Sequence, residues 1–140
     1  MDWREDYSTG VERLDEQHRT LFRAAGDFRE ALDEGQGARS YAVLLEFLEG
    51  YCRAHFGFEE RCMEQVRCPA AQANRDAHAE FTRVLAGFRR RFDEHGFRAA
   101  DARELVDTLE RWLGGHICRL DVQLRGLAGM LPGDGGGKAC

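Results

Sequence analysis

Four stretches of this chain repeat apolar residues at the three- and four-residue steps of an α-helix, and each carries one histidine inside its apolar stripe. The first, about Asp15 to Leu32, aligns Leu14, His18, Leu21, Phe22, Ala25, Phe28 and Leu32. The second places Leu44, Leu48, Cys52, His55, Phe56 and Glu59 on one side. The third holds Asn74, His78, Phe81, Leu85, Phe88 and Phe92. The fourth holds Leu105, Leu109, Trp112, Leu113, His116, Ile117, Leu120 and Leu124. No stretch shows the two-residue alternation of a half-buried strand. Four amphipathic helices on short turns predict an all-α fold, an up-down-up-down four-helix bundle.

Local signals mark the ends of these helices. Gly35, Gln36 and Gly37 break the first, and Ser40 is a candidate N-cap for the second. Pro69 suits the first position of the third, and Gly96 ends it just past His95. Asp101 and Glu104 have the spacing of a capping box for the fourth. Residues 1–14, with Trp3, Tyr7 and Gly10, predict an N-terminal extended arm that lies over the bundle. The bundle domain is expected to span residues 1–128. Residues 129–140, GMLPGDGGGKAC, have the composition of a short flexible C-terminal tail or a linker.

A chain of 140 residues fits one domain with a single core. Twenty basic residues, almost all Arg, are interspersed among 25 acidic ones, for a net charge of -5. That pattern argues against a nucleic-acid stripe. No apolar run has the length of a membrane span, and MDWREDYSTG has no apolar core of the kind a signal peptide needs. The five cysteines form no CxxC pair, which predicts reduced thiols and a cytoplasmic setting rather than a cysteine-based zinc site.

The polar residues inside the stripes carry the chemical information. A single core histidine is usually a satisfied structural one. Four of them, one per helix, would each need a buried partner. Imidazole is also a common neutral ligand for iron, zinc and copper. His55 and Glu59 are spaced i, i+4 and reach the same place. A buried Glu there is costly unless it meets a cation. Glu60 points about 100° away and is expected to be solvated. His116 and Asp121 are spaced i, i+5, about 140° apart on a regular helix. A shared target therefore predicts an irregular fourth helix, widened toward π geometry between them. Carboxylates that can bridge, together with several imidazoles, suit a pair of irons better than one zinc.

In this pattern the sequence resembles the hemerythrins, most closely the bacterial ones, over roughly residues 3–127. The resemblance rests on Trp3, Tyr7, Ser8 and Gly10 of the arm and on VERLDEQHRTLF with Asp15, Gln17 and His18. It continues through HFGFEE with His55 and Glu59, HAEF around His78, and WLGGHICRLD with Trp112, His116 and Asp121. It implies reversible O₂ binding at a non-haem di-iron centre inside the bundle. His18 and His55 would then ligate one iron, and His78 and His116 the other. Glu59 and Asp121 would bridge, with an oxo or hydroxo as third bridge. Small anions such as azide and peroxide, and NO, would bind at iron. The family supplies a fifth histidine on the third helix, where this chain has Asn74. The resemblance thus leaves Asn74 as a weak amide ligand, a holder of iron-bound water, or a residue one layer out. His95 lies at a helix end and reads as a charge partner for that terminus.

Three functions follow as expectations. The first is an O₂-binding protein for storage, delivery or sensing. The second is a di-iron oxidase, peroxidase or peroxide or NO scavenger using an extra open position that Asn74 creates. The third is a sensory module of a signalling protein, with Gly-rich residues 133–137 as its linker. A ferritin-like oxidase is disfavoured because no Glu-x-x-His pair occurs.

Overall fold

The computed structural model describes residues 3–131. Four helices follow one another: α1 (Glu12–Asp33), α2 (Gly37–Gln65), α3 (Ala71–His95) and α4 (Ala99–Arg119). Connections of three to five residues force each helix to run back along its predecessor. α1 packs on α2 and α4, and α3 packs on α2 and α4, closing the bundle. Short 3₁₀ turns at Glu5–Tyr7, Asp121–Leu124 and Ala128–Met130 flank it. Among the described residues no strand occurs, and no helix is long and apolar enough to cross a membrane.

Three helix starts differ from the sequence expectation, each for a tertiary reason. α2 begins at Gly37, so Ser40 lies in its first turn and donates its hydroxyl to the Gln36 carbonyl, 3.3 Å away. Gly37 fits there because a Cβ would come within 2.5 Å of Leu32 and 3.1 Å of Phe97. α3 begins at Ala71 rather than at Pro69. The end of α2 consumes the intervening residues. Arg67 adopts φ 53°, and the Cys68 N–H returns to the Met63 carbonyl at 2.9 Å, a Schellman closure. α4 begins at Ala99 without a side-chain cap, because Asp101 and Glu104 are both taken by Arg91, at 3.1 and 2.9 Å. Gly96 ends α3 as expected, at φ 71° with its N–H on the Phe92 carbonyl.

The arm is ordered. Buried Asp15 accepts hydrogen bonds from the Thr9 N–H, the Thr9 hydroxyl and the Ser8 hydroxyl at 2.8–2.9 Å. Arg125 adds bonds to the Ser8 and Asp6 carbonyls, tying the arm to the segment after α4. Residues 128–130 form a turn whose neighbour Leu131 packs on apolar side chains, so ordered chain enters the segment expected as tail. Residues 132–140 of that expected tail lie outside the described residues. Cys52, Cys68 and Cys118 are free, in line with the reduced-thiol expectation, whereas Cys62 is disulfide-bonded and departs from it.

The core is divided. A large apolar cluster runs from Leu21, Leu48, Phe56, Phe81 and Ile117 toward the loops joining α1 to α2 and α3 to α4. A smaller one, with Val11, Leu14, Phe58, Met63, Val66 and Leu124, fills the opposite end. At two places the switch from one cluster to the other falls at a polar residue. His18 lies between Leu14 and Leu21, and Asp121 between Ile117 and Leu124. A polar layer thus crosses the bundle between two apolar ones.

Candidate metal centre

That layer contains His18, His55, Glu59, Asn74, His78, His116 and Asp121, none more than 3% exposed. Two groups of candidate ligand atoms converge. One is Glu59, His78, His116 and Asp121, and the other is His18, His55 and Glu59. Glu59 belongs to both, and its two oxygens divide the histidines between them. Oε2 lies 3.3 Å from His18 Nε2 and 3.8 Å from His55 Nε2. Oε1 lies 3.0 Å from His78 Nε2 and 3.8 Å from His116 Nε2. Asp121 spans the same two groups, with Oδ2 3.2 Å from His18 Nε2 and Oδ1 3.1 Å from His116 Nε2.

α4 delivers Asp121 by stopping. The helix ends at Arg119, Leu120 turns to φ −115°, and Asp121 opens a tighter 3₁₀ turn. The expected irregularity is present, but its form is a break and a tighter restart rather than widening toward π geometry. The break re-aims the chain so that an i, i+5 residue returns to the axis of the bundle.

Electrostatics mark the cluster as built for cations. Both Glu59 oxygens, both Asp121 oxygens and both His18 nitrogens are buried without a well-aligned hydrogen bond. Uncompensated burial of a carboxylate costs several kcal/mol on an order-of-magnitude scale. Without metal, protons fill the gap. Burial opposes charging of His18, but neighbouring Asp121 and Glu59 outweigh it and raise its pKa to about 10. The same balance raises His116 to about 9. Burial, reinforced by the charge on His18, pushes His55 down to about 3. Glu59 stays well below the usual carboxylate range because His116, His18 and His78 overcome its burial. Imidazole nitrogen and carboxylate oxygen converging in a dry layer is a donor set that suits iron.

The aromatic surround fixes ring orientation. Phe56 stacks on the His78 ring at 3.9 Å and Trp112 on the His116 ring at 4.3 Å, while Phe81 backs Trp112 at 4.4 Å. Phe56 and Trp112 therefore touch two imidazole rings of the cluster directly.

Residues 9–124 match the hemerythrin HHE cation binding domain. The chain belongs to the hemerythrin family. It is 32% identical over 115 residues to a bacteriohemerythrin of Pseudomonas aeruginosa, covering 82% of this chain and 72% of that one. It is 33% identical to the bacteriohemerythrin of Stenotrophomonas maltophilia over the same shares. To the myohemerythrin of Sipunculus nudus it is 28% identical, over 89% of this chain and 90% of that one. Hemerythrins bind O₂ at a non-haem di-iron centre in a four-helix bundle, and the His/Glu/Asp cluster of this chain is suited to such a centre.

The six acid and histidine residues singled out in the sequence converge in this hemerythrin bundle. Asn74 lies on α3 one turn before His78, fully buried, with both amide atoms unpartnered. His95 stays outside, at the end of α3 beside Glu94 at 3.7 Å. Two residues depart from expectation or were missed. Glu60, expected in solvent, is 30% exposed and places Oε2 2.8 Å from His78 Nδ1. Gln17 Oε1 lies 2.7 Å from His55 Nδ1. Both adjoin a cluster residue in sequence. The faint signal was a carboxylate or amide beside a buried polar residue of the stripe, on a helix packed against the next one.

Proposed function

We propose that this hemerythrin binds O₂ reversibly at two irons. His18 and His55 hold one, His78 and His116 the other, and Glu59 and Asp121 are shared. The observation that supports this most directly is the division of Glu59, one oxygen facing each histidine pair. A single zinc would use one tetrahedral set and leave the remaining buried donors unsatisfied. Two ferrous ions, when bound, supply the electrons that O₂ accepts. The protein contributes a dry enclosure, with Phe56 and Trp112 holding His78 and His116 in fixed planes. Two carboxylates offset part of the buried positive charge. Elemental analysis should find two irons per chain, and an oxy absorption band should vanish under vacuum. Glu59→Ala should lose both irons. A single zinc in protein made with iron available would refute the assignment.

Asn74 distinguishes this chain within the reading. Its unpartnered amide occupies the position where the family has a further histidine on the third helix. The iron held by His78 and His116 then has one imidazole fewer than the family supplies and, with two imidazoles like its partner, gains an open position of its own. This favours, as a second reading, an oxidase or a peroxide or NO scavenger that works at that open position. Asn74→His should raise iron retention under chelator and slow autoxidation of the oxy form. Equal rates in variant and parent would make Asn74 a bystander and leave the plain O₂ carrier.

A further inference from the structure

We propose that Glu60 is a positioning residue for His78, and that its charge compensates for the imidazole absent at Asn74. The inference rests on the two-iron reading above. Glu60 Oε2 is 2.8 Å from His78 Nδ1. A carboxylate only accepts, so Nδ1 carries the proton and Nε2 presents its lone pair to the cluster. That Nε2 lies 3.0 Å from Glu59 Oε1 and 3.2 Å from His116 Nε2. Phe56 lies parallel to the same ring, 5° from coplanar at 3.9 Å. Stacking fixes the plane of His78, and the Glu60 bond fixes its rotation within that plane.

The other histidines of the cluster are supported differently. His55 Nδ1 meets the neutral amide oxygen of Gln17 at 2.7 Å. His18 Nδ1 is buried without a partner. Among the described residues, His78 is the one cluster histidine whose outward nitrogen is bonded to a carboxylate. A carboxylate there makes an imidazole a stronger donor to its metal, more than an amide does. The strengthened imidazole shares its helix with Asn74, at the iron proposed to lack a nitrogen donor. Charge from Glu60 therefore restores part of the donation lost at that iron and favours its ferric form.

Anaerobic ferrous titration and redox titration of the full chain, with Glu60→Gln, Glu60→Ala and Gln17→Glu, test this. Glu60→Gln keeps an acceptor for Nδ1 and should hold both irons, with the midpoint potential of one shifted positive. Glu60→Ala should weaken one of the two irons by about 10- to 100-fold and spare the other. Gln17→Glu should shift the other iron's potential negative. A purely structural role would leave the Glu60→Gln potential at the parent value, and that result overturns the inference. So does a Glu60→Ala variant of native helicity with parent affinities at both irons. A parent that takes no second iron fails the two-iron reading itself, and the Glu60 inference falls with it.

Discussion

Iron uptake by the metal-free protein should release at least two protons at pH 7. The perturbation is metal loading, and the protons come from His18 and His116, raised to about 10 and about 9 by Asp121 and Glu59. His55, pushed to about 3, is already neutral and contributes none. Each proton displaced makes affinity rise about tenfold per pH unit. Apparent affinity should therefore climb about 100-fold per unit from pH 7 to about 9, then about tenfold per unit to about 10. Anaerobic ferrous calorimetry in two buffers of different ionisation enthalpy counts the protons directly. Asp121→Asn removes a negative charge that faces both imidazoles, so the count should fall by about one. No proton release, with affinity flat between pH 7 and 9, would refute this charge balance. Stability of the metal-free protein carries the same signature. The folded pKa values of His18 and His116 lie above the ordinary 6.5, so their contribution is complete below that pH. It is lost as pH rises through about 9 to 10, and melts of the metal-free form should fall over that range. Glu59 has the opposite sign: its contribution is present above about 4.5 and is lost on acidification.

Leu48, fully buried in the large cluster, should cost about 2–5 kcal/mol as Leu48→Ala in denaturant melts, from lost burial and a residual cavity. Gly96, at φ 71° and ψ −161°, occupies backbone space that L-residues avoid, so Gly96→Ala should cost about 1–3 kcal/mol in the same assay. At about pH 8 a thiol reagent should modify exposed Cys118 in the folded protein and reach Cys52 only after unfolding. Burial pushes the Cys52 thiol to about 12 and also blocks access to it.

The bundle and the convergence of five of the six side chains were legible because both follow from helical period, whereas Asp121 was implied by the family resemblance. His18, His55, His78 and His116 sit in stripes that must face inward, and Glu59 shares a turn with His55. What period could not show was the fate of residues near a stripe's edge. Glu60 lies about 100° from Glu59, which a lone helix would leave in water. Only the packing of α3 brings the outward nitrogen of His78 to it. The caps failed for the same reason. Asp101 and Glu104 have the spacing of a capping box, but Arg91 of α3 competes for both. At Asp121 the sequence demanded an irregularity without saying which kind, and a turn that tightens meets the demand as well as one that widens. The Schellman closure at Arg67 was hidden because its left-handed residue is not glycine.

The division of the core into two apolar clusters has a consequence for folding cooperativity. Cooperative unfolding needs continuous packing, and without a bound cation the level between the clusters holds charged groups such as His18 and Glu59 in place of apolar contacts. Besides Leu14 of α1 and Phe58, Cys62 and Met63 of α2, the smaller cluster draws on Val11 next to the arm, the α2–α3 connection and the residues after α4. In the metal-free protein this end should exchange its amide protons earlier than the end built around Leu45, Phe88 and Leu105. A cation bound across the layer fastens α1, α2, α3 and α4 at one level, so the two ends open together. The metal then acts as a rivet that converts two loosely coupled half-cores into one unfolding unit.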